Sequence, residues 1–308
     1  MYALPVTKVL LLYFGIQISF GLVSEPSGSH SQSVFIRKRI EAPPPTPLPQ
    51  AVSAASADSL IFLEKQALIR PCSTVTDRAL TLAHSFLGAP YVTGTLDAHE
   101  TEQLVLNLRQ LDCWTLVENC TAIALTGPQG TFADYRRHLR ELRYWGGTIN
   151  GYASRQHYFT GWVLQAEKNG ILKDLTKEMG GIPFQKKIAY ISLHAARYPK
   201  LKTPAQKKAI ADVEARITRH PWHYIPKSKI KTMEHQIQAG DIVLLASSKA
   251  GLDLAHEGFA VRRNGKIHLL HASSIGHKVL ISSQPLATYV HSQKGMSGIM
   301  VIRFKPNT

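Results

Sequence analysis

The sequence predicts an α+β fold, with helices first and an antiparallel sheet after them. Three observations carry this expectation. Apolar residues recur at helical spacing in four segments between residues 59 and 145, and short alternating or continuous apolar runs follow residue 241. Between two of those runs stands Asn264-Gly265, the pair that marks a two-residue hairpin turn.

The helical segments are "SLIFLEKQALI", "TDRALTLAHSFLG", "CWTLVENCTAIAL" and "FADYRRHLRELRYW". The second is expected to open on Thr76 or Asp77 and close at Gly88, and the third to be capped by Asp112 and ended by "TGPQG". The expected strands are residues 241–247, 256–263 and 266–273, then "SGIMVIRF" near the C-terminus. Helices and strands do not alternate, which excludes a parallel βαβ sheet.

Upstream of these elements the composition changes. Residues 1–24 hold one lysine, Lys8, then the apolar run "VLLLYFGIQISFGLV", and small polar residues follow it, the order of a secretory signal peptide. The run is short for a membrane span, and contact with a membrane is expected only if this segment stays attached. Residues 25–57, with "EAPPPTPLPQAVSAASA", read as a Pro/Ser-rich linker, and residues 58–308 as a single domain. Export makes the expected location periplasmic or secreted.

With 44% hydrophobic residues in 308, the chain can bury a core, and disorder is excluded for most of it. Its formal charge of +15 favours an anionic partner. No RNP-like aromatic motif or zinc-finger spacing is present, so no nucleic-acid partner is expected.

Asp112 as N-cap sets Cys113 at the first helical position. There the positive end of the helix dipole and unpaired N–H groups favour a thiolate, the form a cysteine nucleophile requires. Val117, Cys120 and Ala124 share its helical face, so a purely structural cysteine is the competing reading. A nearby base would separate the two.

The hairpin supplies one. With Arg263 opposite Lys266, Gly258 faces His271 and His256 faces Ser273, which makes His256 and His271 diagonal neighbours on one face, their Cβ atoms about 7 Å apart. His268 points the other way. One imidazole can orient the other, as a general base needs. Two histidines, a cysteine and Asp253 also form a conceivable zinc set, yet neither HExxH nor CxxC spacing occurs, so no metal and no cofactor is expected. His220 and His223 read as surface or packing residues.

"FLGAPYVTGT", "LDCWTLVEN", "GYASRQHYFTGWV" and "HEGFAVRRNGKIHLLHASS", in this order, resemble the N-acetylmuramoyl-L-alanine amidase-like family, long catalogued as a domain of unknown function. That family lies within the NlpC-type, papain-like cysteine peptidases. The resemblance covers about residues 71–303. It implies a papain-like domain with Cys113 as nucleophile, His256 as base and His271 as its orienting partner. Tyr91 would lie beside the cysteine, while Asp112, Arg155, His157, Tyr158 and Trp162 would be candidates for substrate contact. Trp114 departs from the small or β-branched residue usual after the cysteine, and would narrow the site. The function implied is hydrolysis of an amide bond in peptidoglycan or muropeptides. A stem-peptide endopeptidase and a non-catalytic cell-wall-binding module are the alternatives.

Overall fold

The structure is a computed structural model that describes residues 54–306. The segment read as a signal peptide and nearly all of the linker lie outside the described residues. Helix α1 (Ala54–Leu68) begins inside the stretch read as linker, where "AASA" is a run of small residues that helices tolerate well. Its Phe62 packs on Phe132 and Tyr135, with ring centroids 5.5 and 5.4 Å away.

Helix α2 (Val75–Ser85) starts earlier than expected because Thr74, rather than Thr76 or Asp77, is its cap: the Thr74 side chain accepts from the N–H of Asp77. Helix α3 (Cys113–Thr126) begins where expected. Asp112 accepts from the N–H of Thr115 and the Thr115 hydroxyl accepts from the N–H of Asp112, a capping box, and Gly127 ends the helix at φ 70°. Thr115 through Ala124 are all buried, so α3 is the central helix of the domain. Each fully buried Leu, Val or Ile in it contributes roughly 1.5–3 kcal/mol. Helix α4 (Phe132–Arg143) is capped by Thr131 with Asp134, and buries Tyr135, Leu139 and Leu142.

The segment between residues 146 and 240, for which periodicity gave no assignment, holds helix α5 (Phe159–Lys168), strands β1 (Leu172–Asp174) and β2 (Ile182–Pro183), and helices α6 (Tyr190–Leu193) and α7 (Pro204–Arg219). Strand β3 (His223–Pro226) and helix α8 (Lys227–Met233) complete it. Strands β4 (Ile242–Ser247), β5 (Leu254–Arg263), β6 (Lys266–Ser273) and β7 (Lys278–Ile281) follow, then helix α9 (Leu286–Ser292) and strand β8 (Met296–Phe304).

The strands form one antiparallel sheet in the order β2-β3-β8-β4-β5-β6-β7, with β1 also paired to β8. The expected hairpin forms in the expected register: Arg263 faces Lys266. Asn264 and Gly265 both have positive φ, 50° and 77°, as a type I′ turn demands. Alternation divides the core between the two faces. Phe259, Val261 and Leu270 pack with α2 to α5 on one side, and Ala260, Ile267 and Leu269 pack with Ile230 of α8 and Val290 of α9 on the other.

Candidate active site

Cys113 is buried, yet it lines a narrow cleft of about 100 Å³ at the start of α3. Tyr91, Asp112, Trp114, Arg155 and His157 also line it, as do Asp97, Tyr152 and Phe159. Tyr91 is fixed by its backbone: it bridges to Leu111, directly before the cap, and its N–H donates to the carbonyl of His277. Burial, then Cys113 and Asp112, push its phenol above the usual tyrosine range, so it stays neutral. Trp114 stacks on Phe159 at 4.5 Å, forming one wall of the cleft.

On β5, residue pairing with β4 slips between Leu245 and Ala246, so that Leu245 faces His256 and Ala246 faces Leu254. This bulge lies just before His256. Beyond it, His256 Nε2 and His271 Nδ1 are 2.5 Å apart, with the ring planes at 86°. Gly258, opposite His271, makes room for the pair: a Cβ there would come within 2.9 Å of the His271 Cβ. Burial, and for His256 the neighbouring His271 as well, hold both imidazoles below the usual histidine range, His271 at about 4. Both are therefore neutral near pH 7, and one ring can donate to the other.

Tyr289 of α9 stands beside His271 and within electrostatic reach of Cys113. Its ring lies 5.4 Å from that of His271. Burial and the charge of Cys113 push its phenol up to about 12. No sequence signal singled out Tyr289, because the short helix that carries it showed no period.

Arg155 is present at the cleft, but its guanidinium is engaged within the protein. It donates to Asp97 at 2.5 Å and to the Leu96 carbonyl at 3.0 Å, and lies 3.5 Å from Glu102. Burial alone would lower its pKa; Asp97 and Glu102 outweigh that and raise it. It therefore holds the loop of residues 94–102 as a wall of the cleft. His157, brought down to about 3 by burial and then by Arg155, sits neutral with its Nε2 2.7 Å from the Tyr152 carbonyl.

Tyr158 and Trp162, expected as substrate contacts, do not line the cleft: both are core residues, 1% and 2% exposed. The Tyr158 hydroxyl donates to Glu214, which also accepts from the N–H groups of Ile191 and Ser192, so this tyrosine anchors α6. Aromatic residues on a helix are buried more readily than offered to ligand, which explains the difference.

Asp253, named in the zinc alternative, accepts from the N–H and hydroxyl of Thr160. Among the described residues no group of three or more His, Cys, Asp or Glu is arranged to hold a metal ion. Cys72, Cys113 and Cys120 form no disulfide.

Helices over an antiparallel sheet, with a cleft at the start of the central helix, make this an α+β domain of the amidase-like kind. The chain belongs to the N-acetylmuramoyl-L-alanine amidase-like family, whose model matches residues 81–298. It is similar to the crystal structure of an N-acetylmuramoyl-L-alanine amidase from Bacteroides uniformis ATCC 8492, with 34% identity and a TM-score of 0.71 over 74% of this chain and 98% of that one. A Bacteroides fragilis structure with a provisional xylanase name is similar at 34% identity and a TM-score of 0.69, over 73% and 99% of the two chains. A Legionella pneumophila protein of the DUF1460 family shares the fold at 20% identity and a TM-score of 0.63, over 82% and 96%. No curated protein is matched.

Proposed function

We propose that this protein is an exported, papain-like cysteine amidase of the NlpC type that hydrolyses an amide bond in peptidoglycan or its muropeptide fragments. The observation that carries the reading is the hydrogen-bonded pair His256 and His271, with Tyr289 beside His271 and within electrostatic reach of a cleft-lining cysteine at a helix start. Family membership and the similarity to an amidase support the substrate class. The basic, apolar, then small and polar order of residues 1–24 supports export.

In the proposed reaction His256 donates its Nε2–H to His271 Nδ1, which leaves His256 Nδ1 as the basic nitrogen. That nitrogen takes the proton of the Cys113 thiol, and the sulfur attacks the amide carbonyl carbon. N–H groups at the start of α3, that of Trp114 among them, stabilise the oxyanion together with the helix dipole. Collapse breaks the C–N bond as the imidazolium protonates the leaving amine. Water, deprotonated by the same imidazole, then hydrolyses the thioester and restores the thiol. The lactyl–L-alanine amide fits the family name; a bond within the stem peptide is the alternative.

Glycoside cleavage has less support. It needs two carboxyl groups flanking the scissile bond. In this cleft Asp97 is paired with Arg155, Asp112 caps α3 and Asp253 is held by Thr160.

The test is to incubate the purified full chain with defined muropeptides and identify the products by mass, with Cys113→Ala alongside. Release of a free amino terminus by wild type only is the expected result. Equal turnover by the variant would remove the cysteine mechanism, and absence of turnover together with absence of thiol labelling at Cys113 would favour a binding module.

A further inference from the structure

Directly after His256, Glu257 points to the opposite face of β5, where its neighbours are acidic. Its side chain is buried. Glu118 and Asp112 on the α3 side and Asp253 before β5 all act on it electrostatically, and each is a carboxyl group. The cation beside Glu118, Arg143 of α4, is already engaged: its Nε and Nη2 reach Glu118 Oε2 at 2.8 and 2.7 Å, and its Nη1 donates to the Val105 carbonyl. The indole of Trp114 also favours the ionised form of Glu118. Among the described residues, two buried carboxyl oxygens on these facing elements still have no hydrogen-bond partner: Glu118 Oε1 and Glu257 Oε2.

Two buried carboxylates on facing elements, with the one guanidinium already committed to Glu118, leave an uncompensated charge, and each unsatisfied oxygen adds a desolvation cost. A single proton relieves both. We propose that Glu257 is a neutral carboxylic acid donating to Glu118 Oε1, and that this carboxyl–carboxylate pair is a positioning device tying β5, beside His256, to α3, little more than a turn beyond Cys113. Burial and the three neighbouring carboxyl groups hold Glu257 well above the usual carboxylate range, which agrees with this protonation state. The inference rests on the proposed nucleophile and base, since it concerns the spacing between them. Glu257 touches neither substrate nor the reacting atoms in this scheme.

The test compares wild type with Glu257→Gln and Glu257→Leu in the full chain. Glutamine keeps an N–H donor for Glu118 at every pH, whereas leucine keeps the volume without the donor. Wild-type kcat/KM is expected to fall at alkaline pH as the shared proton is lost. Glu257→Gln should keep the neutral-pH value within about threefold and lack that alkaline decline. Glu257→Leu should lose at least about tenfold at every pH.

Thermal midpoint against pH gives a readout that needs no substrate. A carboxyl group whose pKa is raised on folding destabilises the fold as pH climbs from its unfolded value through the folded one, so wild type should lose stability there and Glu257→Gln should not. If Glu257→Gln keeps the wild-type pH profile and stability slope, the shared proton is overturned, and this holds even if the leucine variant fails to fold. If wild type turns over no muropeptide, the functional reading fails while the stability comparison still decides the proton.

Discussion

His256 Nε2 and His271 Nδ1 face each other at 2.5 Å across two adjacent strands, with both rings buried. Only one proton fits between them, so the contact defines which nitrogen of His256 is left to act as a base. His271→Ala should therefore lower kcat by roughly a hundredfold with a smaller change in KM, and His256→Ala by more, roughly a thousandfold. Steady-state kinetics on a defined muropeptide would measure both. Equal activity of wild type and His271→Ala would show that the pair does not orient the base.

The same pair makes acid the sensitive side of the stability curve. Folding lowers the pKa of His271 from 6.5 to about 4, so the unfolded chain binds protons more tightly across that interval. Stability is present above about pH 6.5 and is lost as pH falls toward 4, by on the order of 3 kcal/mol for this one group. Denaturant midpoints between pH 7 and pH 4 should show the fall, and His271→Gln should make it shallower without abolishing it, since His256 and His157 are also held below the usual histidine range.

Asp112 fixes the start of α3 through its bond to the Thr115 N–H, 2.8 Å long. Burial raises its carboxyl pKa and the Thr115 bonds oppose that rise, so hydrogen bonding counts for more than charge in its role. Asp112→Asn retains an acceptor and should be close to wild type. Asp112→Ala should lose about 1 kcal/mol of stability and slow alkylation of Cys113, as the first turn frays and the thiol leaves its place. Iodoacetamide labelling rates for the two variants would separate these outcomes.

How much of this was legible depends on the distance over which each feature is determined. The register of His256 and His271 follows from a two-residue turn and strict alternation, both local, and the sequence shows them. The cap at Asp112 is equally local. Arg155 was legible as a cleft residue but not as an internal tie, because its partner Asp97 lies 58 positions earlier and only folding brings them together. Tyr158 and Trp162 share a motif with Arg155 but turn inward, since α5 buries the face that carries them. Tyr289 and Glu257 have no pattern of their own; one sits on a seven-residue helix and the other on the strand face opposite the histidines.

Arg155 should prove to be a determinant of the shape of the cleft. Its side chain is buried against Asp97 and Glu102, and removing it leaves Glu102 buried without its main counter-charge. Arg155→Ala should cost about 3 kcal/mol and lower the melting temperature by roughly 8 °C. Arg155→Lys keeps the charge but not the fork, and should recover part of that stability while KM stays raised. A lysine variant with wild-type KM would show that the loop of residues 94–102 needs only the charge.

The three cysteines should be chemically distinct. Cys120 lies at the centre of α3, and burial pushes its thiol well above the usual cysteine range. Cys72 is half-buried, with its sulfur 3.4 Å from the Thr81 hydroxyl. Cys113 opens a helix and lines the cleft, where the dipole favours the thiolate. Under limiting iodoacetamide at pH 7, Cys113 should label first, Cys72 at least about tenfold more slowly, and Cys120 only on unfolding. Muropeptide should protect Cys113 and leave the slower Cys72 rate unchanged, because only the first lies in the cleft. Mass mapping of the labelled peptides would give the order, and preferential labelling of Cys72 over Cys113 would count against Cys113 as the nucleophile.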